Sequence, residues 1–337
     1  MKVAFLPYFP KNPYQRELAK ALGRAGLSVA LPEDRPSPLE LFRRERFDVL
    51  HLHWLHDLVL AGARRRRTAK KASRFLGELL LLKALGTKLV WTIHNIVEHE
   101  RRDPEAELLI YRVLTRALDT IIVHCDRAAE EVARQYRLSA RQKIRIIRHG
   151  HYRDAYESTW TRAQARDRLG YSPSDLVFLH FGQLRPYKEV PRLVEAFGRL
   201  SRKDVRLLLV GSSPKGERLV LPKDDRIRAI ETFVPDEDVA MYLRAADIAV
   251  LPFARVLTSG SLVLAMSFGL PVIAPRIGCL PETIPPEGGL FYEDGELASA
   301  MAKILDADRS AMGERNRVAA LAVSFEDMAQ ETLAAYS

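Results

Sequence analysis

Short apolar runs alternate with amphipathic helical patterns along most of the chain. "KVAFLPY" (2–8), "DVLHLHW" (48–54), "KLVWTIH" (88–94), "TIIVHC" (120–125) and "KIRIIRHG" (143–150) have the length and β-rich composition of strands. Helical patterns lie between them. Examples are "YQRELAKALGRAG" (14–26), which closes on Gly26, and "DRAAEEVARQYR" (126–137). Such alternation predicts right-handed crossovers and a parallel sheet. The pattern then restarts with "DLVFLHFG" (175–182), a helix near 189–201 and "VRLLLVGS" (205–212). "IRAIETFV" (227–234), a helix near 236–246, "DIAVLPF" (247–253), "GLFYED" (289–294) and a helix near 295–306 follow.

The fold class predicted is therefore α/β, with two Rossmann-like domains facing each other across a cleft. An N-terminal domain is expected over 1–155 and a C-terminal domain over 156–321. A last helix at about 322–337 is expected to pack back on the first domain. In open parallel sheets ligands sit beyond the C-terminal ends of strands, so the residues after each strand are where chemistry is sought.

Composition narrows the class. With 337 residues, 47% hydrophobic and 28% charged, the chain suits two ordinary globular domains and not a disordered protein. Two cysteines far apart give no zinc-ligand spacing and make a cytoplasmic setting the expectation. No apolar run is long enough to span a bilayer. The net charge of +9 leaves nucleic acid, an anionic membrane and phosphorylated substrates as possible partners.

The second half carries phosphate signals. In "GQLRPYKEV" (182–190), Arg185 and Lys188 place two cations in a strand-to-helix turn. In "TSGSLVLAMSFGLPVIAP" (258–275), Thr258, Ser259, Gly260 and Ser261 stand at a predicted helix N-terminus. Unpaired N–H groups there favour an anion, and Gly260 permits close approach. One hydroxyl suffices for a helix cap; three and a glycine exceed that need. The acids "DED" (236–238) at a helix start complement the helix dipole, and no metal site is expected there.

The ordered series "FGQLRPYKEV", "LLLVG", "TFVPDEDVAMYLRAADIAVLPF", "SGSLVLAMSFGLPVIAP" and "GCLPETI" resembles the donor-binding domain of GT-B fold glycosyltransferases of the family 4 type. "DVLHLHW", "WTIHN" and "KIRIIRHG" extend the likeness into the first half. The resemblance implies a nucleotide-sugar donor as co-substrate, no cofactor and no bound metal. It implies that Lys188 binds the donor diphosphate, with Arg185 beside it because Gln183 stands where an arginine is usual. Phe233 and Val234 match the turn that meets the nucleotide base, and 258–261 the loop around diphosphate and sugar. The chain also departs from the pattern. Retaining family 4 enzymes carry two glutamates eight positions apart, the second before an Ala-Met pair; here Val256 and Leu264 stand there. The likeness thus shifts toward inverting bacterial β-mannosyltransferase-like relatives that lack the pair.

In the first half, "HLHWLHD" (51–57) and "WTIHNIVEHE" (91–100) follow strands. His53, His56 and Asp57 are candidate acceptor contacts, while His51 reads as a core residue. His94 matches the histidine of the family's Thr-x-His segment beside the transferred sugar. An inverting transfer needs one base, and Asp57, His94, Glu98 and Glu100 are the candidates. His94, Glu98 and Glu100 are assigned to catalysis.

The stretch "AGARRRRTAKKASRFLGELLLLKALG" (61–86) places Arg64, Arg67, Lys71 and Arg74 on one helical face, followed by Phe75, Leu76, Leu79, Leu80, Leu82 and Leu85. A basic, leucine-rich segment reads as a contact with an anionic membrane. The expectation is a peripheral enzyme at the cytoplasmic face of the inner membrane, acting on a carbohydrate or lipid-linked acceptor. A retaining transferase and a nucleotide-sugar epimerase of the same fold are the alternatives. A nucleic-acid binder is disfavoured, because no recognition motif or aromatic stacking run accompanies the charge.

Overall fold

The structure, a computed structural model, describes residues 1–62, 64–98, 103–139, 143–214 and 218–337. The chain forms two compact units, Met1–Gly150 with Ser324–Ser337, and His151–Val323. The first contains β1 (Lys2–Leu6), α1 (Pro13–Arg24), β2 (Ser28–Ala30), α2 (Pro38–Arg44), β3 (Val49–Leu52), α3 (His56–Val59), α4 (Arg65–Ala84), β4 (Lys88–Thr92), α5 (Pro104–Leu114), β5 (Thr120–Val123), α6 (Asp126–Tyr136) and β6 (Lys143–Ile146). The second contains α7 (Arg162–Leu169), β7 (Leu176–Phe181), α8 (Val190–Gly198), β8 (Val205–Val210), β9 (Ile227–Ile230), α9 (Asp236–Ala245), β10 (Ile248–Val250), α10 (Gly260–Ser267), β11 (Val272–Pro275), α11 (Leu280–Thr283), β12 (Gly289–Tyr292), α12 (Leu297–Lys303) and α13 (Arg309–Leu321). The last helix, α14 (Phe325–Tyr336), belongs to the first unit.

Each unit holds a six-stranded, all-parallel sheet. The orders are β2-β1-β3-β4-β5-β6 and β12-β11-β10-β7-β8-β9. Central strands such as β3, β5 and β10 are buried along their whole length, as expected when helices cover both faces. In the second unit Phe178, Leu207, Leu209, Val250 and Ile273 of the sheet pack with Phe197 of α8 and Met301 of α12. Helix α14 packs on α1 in the first unit. A β-carbon at Gly150 would lie 2.9 Å from Phe325, so glycine there lets α14 approach closely. At its other end the Tyr336 hydroxyl sits 2.6 Å from His51 Nδ1.

The strands stop short of the apolar runs that announce them. The run 88–94 yields a strand ending at Thr92, and 143–150 one ending at Ile146. The remaining residues turn out over the C-terminal edge of the sheet. That edge is where the histidines fall.

Candidate active site

In the second sheet the strand order reverses between β7 and β10, which marks the ligand crevice of an open α/β sheet. The turn after β7 runs through Gly182 and Arg185 to a 3-10 turn at Pro186–Lys188. The turn after β10 leads into α10. Gly182 has φ 122°, and a β-carbon there would lie 2.8 Å from Lys188 Nζ and 3.0 Å from Ser261 Oγ. The ammonium and the hydroxyl therefore converge on space that any larger residue would fill.

Lys188 is only 5% exposed. Burial, with the neighbouring Arg185 adding to it, pushes its pKa down to about 8. Among the described residues no carboxylate contributes in the opposite sense. A buried cation beside a second cation is stabilised by an arriving anion. The Nζ also lies 5.6 Å above the Phe253 ring. Glu189 follows with φ 44°, a left-handed turn that starts α8, and its carboxylate is 3.1 Å from Arg192.

The hydroxyls of 258–261 divide their work. Ser259 is the N-cap of α10, accepting from the Leu262 N–H at 3.1 Å. Ser261 faces the Lys188 cradle. A β-carbon at Gly260 would lie 3.4 Å from the Tyr152 hydroxyl, and Thr258 is half-buried just before the cap. Leu264 is buried within α10, so no carboxylate occupies that turn. Phe233 is 49% exposed and Val234 is buried, just before the acidic first turn of α9. Sequence reading missed His180 of β7. It is buried, its Nδ1 is 3.0 Å from the Val250 carbonyl, and burial together with Lys188 lowers its pKa to about 3. A carbonyl only accepts, so Nδ1 carries the proton.

In the first sheet the order reverses between β1 and β3. Here the strand ends supply a row of imidazoles: His51 and His53 from β3, His94 after β4, His124 after β5 and His149 after β6. Four of them surround the Tyr14 ring, with centroids 4.7 Å away for His94, 5.0 Å for His149, 5.5 Å for His124 and 6.0 Å for His53. Burial drives all five below the ordinary histidine value, His51 and His149 to about 3, His124 to about 4, and His53 and His94 well down. The row is neutral at working pH. Among the described residues, no three His, Cys, Asp or Glu side chains are placed to hold a metal ion.

His94 stacks on Trp54 at 4.0 Å with an interplanar angle of 11°, and its Nε2 is 3.3 Å from His53 Nδ1. His53, a candidate acceptor contact from sequence, is 1% exposed, with its ring stacked against those of Trp54 and His94. His56 is half-buried and Asp57 exposed; His56 Nε2 is 3.6 Å from the Asp57 carboxylate, which also pairs with Arg35 at 3.0 Å. The Glu98 N–H donates to both oxygens of the buried Glu107 at 2.9 Å, and the Tyr136 hydroxyl donates to the Ile96 carbonyl at 2.6 Å. Burial raises the Glu107 pKa to about 7 despite hydrogen bonds from Tyr111 and the Glu98 N–H. Glu100 lies outside the described residues.

The basic helix corrects one expectation. The leucines of α4 do not form one apolar face. Thr68, Ala72, Phe75, Leu79 and Leu82, spaced by four and three, pack inward, while Leu80, Leu81 and Leu85 are exposed. The cations also differ. Lys71 Nζ donates to the Asp57 and Leu60 carbonyls at 2.6 and 3.0 Å, closing the end of α3, and Arg74 pairs with Glu78 at 2.9 Å. Arg64 and Arg67 are exposed.

Two Rossmann-like units of this kind make the GT-B fold, and the chain belongs to the GT-B glycosyltransferases. Residues 22–154 match the family described as Glycosyltransferase Family 4, and residues 175–307 match Glycosyl transferases group 1. The protein is thus a hexosyl-transferring enzyme. It is similar to the GDP-mannose:glycolipid 4-beta-D-mannosyltransferase of Xanthomonas campestris pv. campestris, 31% identical over 318 residues, covering 89% of this chain and 81% of the relative. A D-inositol 3-phosphate glycosyltransferase of Streptomyces avermitilis is 27% identical over 255 residues, 68% of this chain and 55% of that one. In structure the chain is similar to sucrose-phosphate synthase from Thermosynechococcus elongatus, with TM-score 0.77, 20% identity, and coverage of 100% and 98%. Anabaena HepE in complex with UDP-glucose gives TM-score 0.74 at 18% identity, covering 99% of each chain.

Proposed function

We propose that the protein transfers mannose from GDP-mannose to a glycolipid acceptor at the cytoplasmic membrane face, with inversion at the anomeric carbon. The observation that carries the donor class is the Lys188–Ser261 cradle around Gly182, a buried cation beside a second cation, with no acid among the described residues to balance it. The base, sugar and acceptor class rest on the likeness to the Xanthomonas mannosyltransferase. In the reaction the acceptor hydroxyl attacks the anomeric carbon as the bond to the diphosphate breaks. Lys188, Arg185 and the N-terminus of α10 take up the charge developing on the leaving diphosphate. One base receives the acceptor proton, and Asp57, Glu98 and Glu100 are the carboxylates for that task. The apolar residues at Val256 and Leu264 favour inversion over the retaining pattern.

Membrane contact is assigned to the exposed Leu80 and Leu81 of α4, Leu85 at its C-terminal end, and Leu109 and Val113 of α5, with Arg64 and Arg67 as the cations. A single experiment tests these readings. Purified protein is given GDP-mannose, UDP-glucose or dTDP-glucose, and a polyprenyl-diphosphate-linked oligosaccharide in anionic or neutral vesicles. Transfer is expected from GDP-mannose, faster on anionic vesicles, with a β-linked product by NMR. A different preferred donor refutes the mannose assignment, an α-linked product refutes inversion, and equal rates on both vesicles refute the membrane surface.

A further inference from the structure

The crevice of the first sheet opens between the loops that follow β1 and β3, and each loop presents one half-buried aromatic residue, Phe9 and Trp54. The two rings meet edge to face, with centroids 5.7 Å apart at 87°. Neither is placed by chance. The buried amide of Gln15 clasps the β1 loop, accepting from the Phe9 N–H at 2.9 Å and donating to the Pro7 carbonyl at 2.7 Å. Trp54 is fixed by its stack on His94. Lys71 closes the end of α3, which continues from the Trp54 loop.

A charged pair borders the rings. The Arg35 guanidinium lies 4.4 Å over the Phe9 ring and 3.0 Å from the Asp57 carboxylate, and both ends of that ion pair are 42% exposed. Arg35 holds a left-handed backbone, φ 50°, which a residue with a β-carbon adopts at a cost. The result is an apolar shelf, rigid beneath, edged by a fork of N–H donors and a carboxylate acceptor. That combination suits a pyranose ring. Its C–H face packs on an aromatic ring, whose face is electron-rich, while its hydroxyls both donate and accept.

We infer that Phe9 and Trp54, with Arg35 and Asp57 at their edge, form the subsite for a sugar ring of the acceptor. This rests on the reading of the protein as a transferase to a carbohydrate-bearing acceptor. It places that sugar beside His94. Trp54 and Phe9 contribute the stacking surface; Arg35 and Asp57 fix which hydroxyls are turned toward the crevice.

The test does not depend on the identity of the donor. Trp54 is one of three tryptophans; Trp91 is buried and donates to the His53 carbonyl. Cellobiose, maltose and mannobiose are titrated against the intact chain, with sorbitol as an acyclic control, while tryptophan emission is followed. A saturable change with at least one disaccharide, absent with sorbitol and absent in Trp54→Phe, is expected. In transfer assays Trp54→Ala is expected to raise the acceptor KM about tenfold, Trp54→Phe much less, and neither to raise the donor KM comparably. Arg35→Ala, which leaves the rings in place, is expected to raise the acceptor KM as well. Should Trp54→Ala fail to fold, Trp54→Phe and Arg35→Ala carry the test. No saturable change with any disaccharide, or one that persists in Trp54→Phe, overturns the inference. A donor KM that rises with Trp54 substitution overturns it too, since the shelf would then hold the nucleotide. Loss of the GDP-mannose assignment alone leaves the emission result standing.

Discussion

A Lys188→Ala variant is expected to lose about 10²–10³-fold in kcat/KM, the cost typical of removing one donor from a developing anion in a water-excluded site. The ammonium is buried, has no acid among the described residues to balance it, and meets Ser261 Oγ over Gly182. Lys188→Arg is not expected to rescue, because a planar fork does not fit space sized for a point charge. The pH dependence carries the sign. A bound diphosphate raises the lysine pKa above its free value of about 8. Affinity for the nucleotide diphosphate is thus fully present below about pH 8 and declines as pH rises through it, by up to about tenfold per unit. Calorimetric titration of GDP between pH 6.5 and 9.5 reads this directly. Affinity that is flat across that range, or unchanged in Lys188→Ala, would sink the assignment of Lys188 to the diphosphate.

The second large effect is expected at His94. Its imidazole is neutral, is stacked on Trp54 and shares a contact with His53. Burial holds its pKa well below the ordinary histidine value, which weakens it as a proton acceptor and leaves it a hydrogen-bond partner for a sugar hydroxyl. His94→Ala is expected to reduce kcat by about 10²-fold while leaving GDP affinity near the parent value, because the diphosphate cradle belongs to the other unit. His94→Asn, which keeps one donor and one acceptor, should recover part of the loss. If His94 were the base, the asparagine would rescue nothing and the rate would fall with decreasing pH along an imidazole titration. Near-normal turnover in His94→Ala would remove it from the site.

Much of the fold was legible because strands in parallel sheets are buried on both faces and so read as unbroken apolar runs. β8, "VRLLLV", is such a case. β2 was not legible, since Ser28–Ala30 is a three-residue edge strand with no buried position. The geometry of the cradle proposed for the diphosphate was partly legible: Lys188, Ser261 and Gly260 stand in turns that follow predicted strands. The Phe9–Trp54 shelf was not, because it depends on β3 lying beside β1 with β2 on the far side, a pairing no local pattern encodes. His124 and His149 escaped for the same reason. Each sits at the end of an evident apolar run, but only strand order brings them around Tyr14. The leucines of α4 misled because five of them crowd the second half of a twenty-residue helix that is covered on more than one side, by α2, α3 and β4.

The row of neutral imidazoles also gives the first unit a set of proton-binding sites that only its unfolded form can fill. An exposed histidine takes up its proton near pH 6.5, whereas His51, His124 and His149 stay neutral in the fold down to about 3 to 4. Stability from these groups is therefore complete above about pH 6.5 and drains away as pH falls toward the folded values, by about 1.4 kcal/mol per pH unit for each. The unit is expected to unfold steeply in mild acid, with more than two protons taken up per molecule, as potentiometric titration through the transition would show. Its working range is bounded from below by the same residues that line its crevice, so an acidic environment would switch the enzyme off by melting the first unit first.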